Sequence, residues 1–505
     1  MLDTLSGPAP DVPPVAPDVD VLIVGSGFSG IAMAVRLQQA GFAPFLILEK
    51  GGDVGGTWRD NFYPGAACDI PSHLYSLSFE PGTAWSRTYP RQPELQAYLR
   101  EVADKHGLRP LIRFNTALTG AAWDEERALW RVTTSAGETI SARVLVSGMG
   151  VLHVPAYPSL PGLDRFEGRV FHSSQWDHGY DLRGKRVGVV GTGASAIQFV
   201  PEIAPEVAQL YVFQRTPPWI LPKPDRAITR RQRVLMRALP FYRRVVRNRL
   251  FWLHEVRVLG FANNPKLMRM AERTARAHLD KAVKDAELRR KLTPAYLIGC
   301  KRVLLSNDYY PALQRPNVEL VTDPITEVRP RSVVTADGTE RPVDALIHGT
   351  GFKPPGSYSA VRITGRDGVD LNAAWRDSMI AFKGITVNGF PNLFLLFGPN
   401  TGLGHNSAVL MIEAQVRYVL DCLRQMRRSG LRAVEVKPEA QLHYVEGLHA
   451  RMARTVWQTG GCRSWYQDDK GHNSALWPGS VVEYVMRTRR ASLNDYRTVQ
   501  ATAGP

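Results

Sequence analysis

Residues 25–30 read G-S-G-F-S-G, and residues 191–196 read G-T-G-A-S-A. Small residues at this spacing turn the chain tightly, bring backbone against a pyrophosphate, and let a helix pack on the preceding strand. The free N–H groups and the dipole at the helix start favour the negative charge. The two loops differ in the strands that come after them. The apolar run after the first ends in Glu49, placed to accept hydrogen bonds from ribose hydroxyls. The run after the second, QLYVFQRT, ends in Arg215 and Thr216. A guanidinium and a hydroxyl suit a 2′-phosphate, which a carboxylate would repel. The first loop, with Gly25, Gly27, Phe28, Ser29 and Gly30 and the pair Glu49–Lys50, therefore reads as a site for FAD or NAD. The second, with Gly191, Thr192, Gly193, Ser195 and Ala196 and the pair Arg215–Thr216, reads as a site for NADP(H). Both in one chain imply hydride transfer from a nicotinamide to a flavin, which makes the first cofactor FAD.

The elements that must hold these loops are visible around them. VDVLIVGSGFSGIAMAVRLQQAG is a β-branched run to Val24, a turn, and an apolar helix to Gly41; KRVGVVGTGASAIQFV repeats the pattern. The fold class is α/β, with two nested Rossmann-like dinucleotide-binding domains and a helical insertion. Two later apolar runs, Val343 to Phe352 and Phe390 to Asn400, end in glycine-rich turns and are expected to return the chain to the first, interrupted sheet. The expected division is a loose Pro-rich, acidic tail over 1–18, then a FAD domain over 19–155 and 341–505. The NADP domain spans 156–340 and carries the helical insertion at about 226–295.

At 505 residues, with 44% hydrophobic and 22% charged residues, the composition is that of a folded multidomain protein. No apolar run has the length of a membrane span, and the N-terminus lacks the basic-then-apolar order of a signal peptide. The net charge of +16 is concentrated between Arg226 and Lys291. No nucleic-acid motif accompanies it, so nucleic acid is not an expected partner. A solvated helical face is favoured over peripheral membrane contact through Leu250–His254. Cys68, Cys300, Cys422 and Cys462 are scattered without a CxxC pair. That spacing argues against a disulfide framework, a metal site and a dithiol redox centre, with a reducing cytoplasm as the simplest location.

Phe166, Gly168, His172, Trp176 and Asp177 fit FxGxxxHxxxW(P/D) just ahead of the second loop. This resembles the signature of type I Baeyer–Villiger monooxygenases, relatives of the flavin-containing monooxygenases. The stretch GGTWRDNFYPGAACDIPSHLYSLSF, Gly55 to Phe79, is similar to the segment that lines the flavin in that family. It contributes Gly56, Thr57, Trp58, Asp69, Ile70 and Tyr75 as cofactor-binding positions. VFQRTP, CKRVLLSNDYYPALQRPNVEL and IHGTGF extend the resemblance from about Val19 over nearly the whole chain.

The resemblance implies that NADPH reduces FAD, that the reduced flavin and O2 give a peroxide at flavin C4a, and that this attacks a ketone to give an ester or lactone. Arg302 matches the family's arginine that holds the peroxyanion, and Asp69 the carboxylate that orients it. Lys301 matches a residue that joins Arg215 and Thr216 at the 2′-phosphate, and Trp465 a tryptophan near the nicotinamide. His172 matches a linker histidine that sets conformation without touching substrate. The alternative is an N- or S-oxidising flavin monooxygenase, which needs no arginine to hold an anion. Two departures bear on the substrate: Arg59 and Asp60 replace the aromatics usual after the GGTW tryptophan, and the loop Gly398 to Ser407 is unlike that of small cyclic-ketone oxidisers. His405 and Asn406 in that loop are candidate polar contacts.

Overall fold

A computed structural model describes residues 16–353, 356–468 and 470–500. Its centre is two parallel sheets, each built on one of the glycine loops. The first sheet contains β1 (Val19–Val24), β2 (Phe45–Leu48) and β3 (Thr139–Ser147), with β1 paired in parallel to both neighbours. β1 is an almost unbroken apolar run because it is covered on both faces, as parallel strands require. Helix α1 (Phe28–Gln39) follows β1 and is buried from Phe28 to Val35. Leu118–Asp124 and Leu129–Thr134 add an antiparallel wing beyond β3.

The second sheet has five strands, all parallel. β4 (Arg169–His172), β5 (Arg186–Val190), β6 (Gln209–Phe213), β7 (Val318–Val321) and β8 (Ala345–His348) lie in the spatial order β7-β6-β5-β8-β4. Helix α2 (Ala196–Ile203) follows β5 as α1 follows β1. The run from Val343 to Phe352 thus does not rejoin the first sheet as expected: β8 is held between β4 and β5. An apolar parallel strand fits either sheet, and its sequence does not encode which. The chain returns to the first sheet with Arg362–Thr364, and Leu393–Leu395 then pairs with β3.

The two connections between the sheets run side by side. Ala156 N–H donates to Gly351 O at 2.9 Å, and Lys353 N–H donates to Val154 O at 3.0 Å. The Tyr157 ring lies edge-on to both His172 and His348. Of the expected N-terminal tail, residues 1–15 lie outside the described residues. Asp18 is already tied to the sheet, its carboxylate accepting from Ser141 N–H at 2.8 Å and from Ser141 Oγ at 2.7 Å.

The basic segment folds as α3 (Arg230–Ala238), α4 (Pro240–Glu255) and α5 (Met268–Ala282). α3 begins with a capping box in which Thr229 and Gln232 satisfy each other's backbone N–H groups. Residues from the end of the chain close over this segment: Met452, Val456, Trp457 and Tyr466 share a core with Phe261, Met268 and Ala275.

Candidate active site

The first loop leaves no room for side chains. Gly25 has φ +95°, and a Cβ there would lie 2.7 Å from Gly148 O; a Cβ on Gly30 would lie 1.8 Å from Gly25 O. Glu49 directly follows β2 beside this loop, and its carboxylate accepts four hydrogen bonds. Oε2 accepts from Ser26 N–H at 2.9 Å and Ser26 Oγ at 2.7 Å; Oε1 accepts from Gly51 N–H at 2.8 Å and Arg59 Nη1 at 2.6 Å. Burial pushes its pKa up, but Arg59 and the other donors outweigh that and hold it below the ordinary range. A backbone cradle at a helix start beside a buried, ionised acid fits an adenine dinucleotide. Phe28, Trp58 and Tyr75 pack edge-to-face nearby, and Trp58 Nε1 donates to Tyr75 Oη at 3.2 Å.

The second loop repeats the turn, with Gly191 at φ +102° against Gly349 O. Beyond β6 come Arg215 and Thr216, and Thr192 Oγ1 donates to Thr216 O at 3.4 Å. Lys301 lies with its Nζ 5.2 Å from the Tyr296 ring centroid. Burial, then repulsion from Arg215, lowers the Lys301 pKa. Among the described residues neither cation has a carboxylate at salt-bridge distance. Two cations near enough to repel each other, with no carboxylate on either, suit an anion.

Arg302 and Asp69 meet where the two domains face each other. Nε donates to Oδ2 at 2.8 Å and Nη2 to Oδ1 at 2.7 Å, with the side chains 32% and 26% exposed. Asp69 raises the Arg302 pKa further, against the effect of burial. Tyr466, buried, stands beside the guanidinium; burial raises its phenol and Arg302 opposes the rise. A fixed cation that is still about a third exposed, gripped by the Gly55–Phe79 segment, can stabilise negative charge developing on an oxygen.

Sequence comparison places these features in a family. A family profile described as "Pyridine nucleotide-disulphide oxidoreductase" matches residues 22–237. The chain is 51% identical to a Baeyer-Villiger monooxygenase of Pseudomonas aeruginosa, over 96% of this chain and 92% of that one. It is 48% identical to one from Streptomyces coelicolor, over 95% and 93%. The solved structure of an OTEMO complex with FAD and NADP superposes with a TM-score of 0.88 at 29% identity, covering 96% of this chain and 100% of that chain. The chain belongs to the type I Baeyer–Villiger monooxygenases.

As a Baeyer–Villiger monooxygenase it is an FAD-dependent oxidoreductase that uses NADPH and O2 to convert a ketone into an ester or lactone. Several neighbours of its site were not foreseen from the residues. Arg59 spans Glu49 and Asp60, with Nε 2.8 Å from Asp60 Oδ1 and Nη1 2.6 Å from Glu49 Oε1. His405 and Asn406 are buried and face the insertion instead. Asn406 Nδ2 donates to Glu255 Oε2 at 2.9 Å, and His405 Nε2 lies 3.5 Å from the same oxygen. Gln198 on α2 docks the second domain of the monooxygenase on its Gly55–Phe79 segment, donating to Ala67 O at 2.9 Å and accepting from Tyr63 Oη at 2.9 Å. Its only signal in the sequence is its place one turn into the helix after the second loop. His172 is buried at the end of β4, where Ser174 N–H donates to its Nδ1 at 3.1 Å. It sits at the paired connections, its ring edge-on to Tyr157 and Phe352.

The cysteines also need correction. Cys300 and Cys462 are joined in a disulfide, and Cys68 and Cys422 are free and buried. Their separation of 162 residues hid the pairing. The bond ties the segment carrying Lys301 and Arg302 to the loop carrying Trp465 and Tyr466. Trp465 is partly exposed, its ring 4.6 Å from that of Tyr466.

Proposed function

We propose that Arg302 is the catalytic cation of ketone oxygenation in this chain and that Asp69 is its positioning partner. The observation that carries this reading is the bidentate pair, one member from the flavin-lining segment and the other from the second domain. Attack on a ketone carbonyl builds negative charge on oxygen, and a guanidinium stays charged at every working pH. An N- or S-oxidising enzyme has no use for such a fixed cation, so the pair favours the ketone reaction.

Bound FAD supplies hydride acceptance and the activation of O2. Glu49 would hold its ribose, with Gly25, Gly27 and Gly30 at the pyrophosphate and Gly56, Thr57, Trp58, Ile70 and Tyr75 along the ring system. Arg215, Thr216 and Lys301 would hold the 2′-phosphate of NADPH over the second loop, and Trp465 would cover its nicotinamide end. The sheet pairing supports a FAD domain of residues 19–153 and 356–500, interrupted by an NADP domain between the two connections. No helix among the described residues is long and apolar enough to cross a membrane. Use of NADPH supports a cytoplasmic location.

Replacing Arg302 with Ala tests the assignment. The variant is expected to bind FAD, read from its visible absorbance, and to consume NADPH without forming ester or lactone from any ketone the parent accepts. Undiminished ester formation by that variant would sink it.

A further inference from the structure

The insertion carries a helix whose polarity is inside out. On α4, Arg247 points into the protein. Its Nη1 donates to His73 O at 3.0 Å, Leu74 O at 3.4 Å and Ser76 Oγ at 3.3 Å, and its Nη2 lies 3.6 Å from Glu413. The solvent side of the same helix presents Phe241, Val245, Trp252, Leu253 and, just past its end, Val256 at helical spacing. Phe241 is 77% exposed and Trp252 is 55% exposed. An ordinary surface helix shows the reverse order. The effect is local: eleven of the nineteen exposed large hydrophobic residues of the described chain fall between Val234 and Met270. Apolar exposure this concentrated marks an interaction surface, not chance.

Charge selects the partner. Arg244 and Arg249 share the exposed face of α4 with the aromatics. α3 adds four arginines and no acid, beside exposed Val234 and Leu235. The only acid on α4, Glu255, is turned inward, accepting from Asn406 Nδ2 and from Val482 N–H at 3.0 Å. Helix α6 (Ala408–Arg428) supplies the Glu413 that faces Arg247, so the inner side of α4 is anchored at both ends. Helix α7 (Val481–Arg487) adjoins the end of α4 at Val482, whose N–H holds Glu255 and whose side chain is itself exposed.

We propose that α3, α4 and the adjoining end of α7 form a docking face for an anionic lipid bilayer, with α4 lying in the interfacial plane. A bilayer surface accepts both features at once, aromatic and aliphatic side chains below the headgroups and arginines among the phosphates. A second copy of the chain would bring like charge to like, and nucleic acid would leave the apolar stripe unpaired with anything.

The test is co-sedimentation of the FAD-loaded full chain with extruded phosphatidylcholine vesicles, with and without phosphatidylglycerol. The protein is expected to pellet with the phosphatidylglycerol vesicles and to stay in solution with phosphatidylcholine alone. Phe241→Ser with Trp252→Ser removes the two aromatics of the exposed face, and is expected to weaken partitioning by about tenfold or more while FAD content holds. Arg244→Glu with Arg249→Glu is expected to abolish the preference for the anionic lipid. No pelleting with phosphatidylglycerol, equal binding to both vesicles, or binding indifferent to these substitutions would overturn the proposal. So would a dimer in solution that the Phe241 and Trp252 substitutions dissociate, since that would put a second copy on the face. No outcome depends on the ketone reaction.

Discussion

Arg302 and Asp69, 233 residues apart in the chain, are joined by two parallel hydrogen bonds of 2.8 and 2.7 Å. Two bonds fix the plane of the guanidinium and leave one nitrogen, Nη1, outside the pair. That geometry belongs to arginine; a lysine ammonium can keep the charge but not the plane. Arg302→Lys is therefore expected to lower kcat for ketone oxygenation by about a hundredfold, with FAD retained. The check is the ratio of ester formed to NADPH consumed. Asp69→Asn keeps the shape and loses the charge, and is expected to fall between parent and Arg302→Lys in the same ratio.

Lys301 and Arg215 repel each other, and no carboxylate among the described residues lies at salt-bridge distance from either. A 2′-phosphate relieves that repulsion, whereas NADH has none to offer. Lys301→Ala and Arg215→Ala are each expected to raise KM for NADPH by about ten- to a hundredfold and to leave KM for NADH nearly unchanged. Steady-state NAD(P)H oxidation measures both, and an equal rise for the two coenzymes would move the 2′-phosphate site elsewhere.

Arg59 keeps the buried Glu49 ionised. In Arg59→Ala the burial cost is no longer opposed by that charge, so the Glu49 pKa rises. Protonated Glu49 loses acceptor capacity for the ribose, and the loss begins on the acid side. FAD release, followed by flavin fluorescence, is expected to begin at a higher pH in Arg59→Ala than in the parent. Coincident release curves would remove Arg59 from cofactor binding.

His348 and His254 are buried, and both are pushed down to about 4, His348 by burial and then by His172, His254 by burial and then by Arg257. A histidine that stays neutral in the fold but protonates when unfolded contributes nothing to the pH dependence above its unfolded pKa. Stability is lost as pH falls from about 6.5 towards about 4, by about 3 kcal/mol for each such residue. The melting temperature is expected to drop steadily across that window, and His348→Asn to flatten the drop. A melting temperature independent of pH there would mean that His348 is protonated in the native state.

The two strand–turn–helix units were legible because each is contiguous in the chain and carries its own glycine spacing. The signature around His172 gave the family for the same reason. What escaped depends on contacts between distant segments. Nothing in CDIP and CKR alone says that Asp69 and Arg302 touch; the resemblance supplied that. The disulfide between Cys300 and Cys462, the grip of Gln198 on Ala67, and the turn of His405 towards Glu255 each join elements that only the packed fold brings together. The sheet that β8 joins was misread because burial on both faces erases any pattern that would distinguish one parallel sheet from another. On α4 the sequence sets arginines between two aromatic pairs, but only the placed backbone tells which of them face inward.

The paired connections at Ala156–Gly351 and Val154–Lys353 have a mechanical consequence. A body on one tether can spin, while a body on two tethers laced together retains only the motion of a door. The second domain is hung on such a pair and clasped a third time by the Cys300–Cys462 disulfide, which joins the segment of Arg302 to a loop of the first domain. With that bond made the door is bolted, and Arg302 is kept at Asp69 as Gln198 is kept at Ala67.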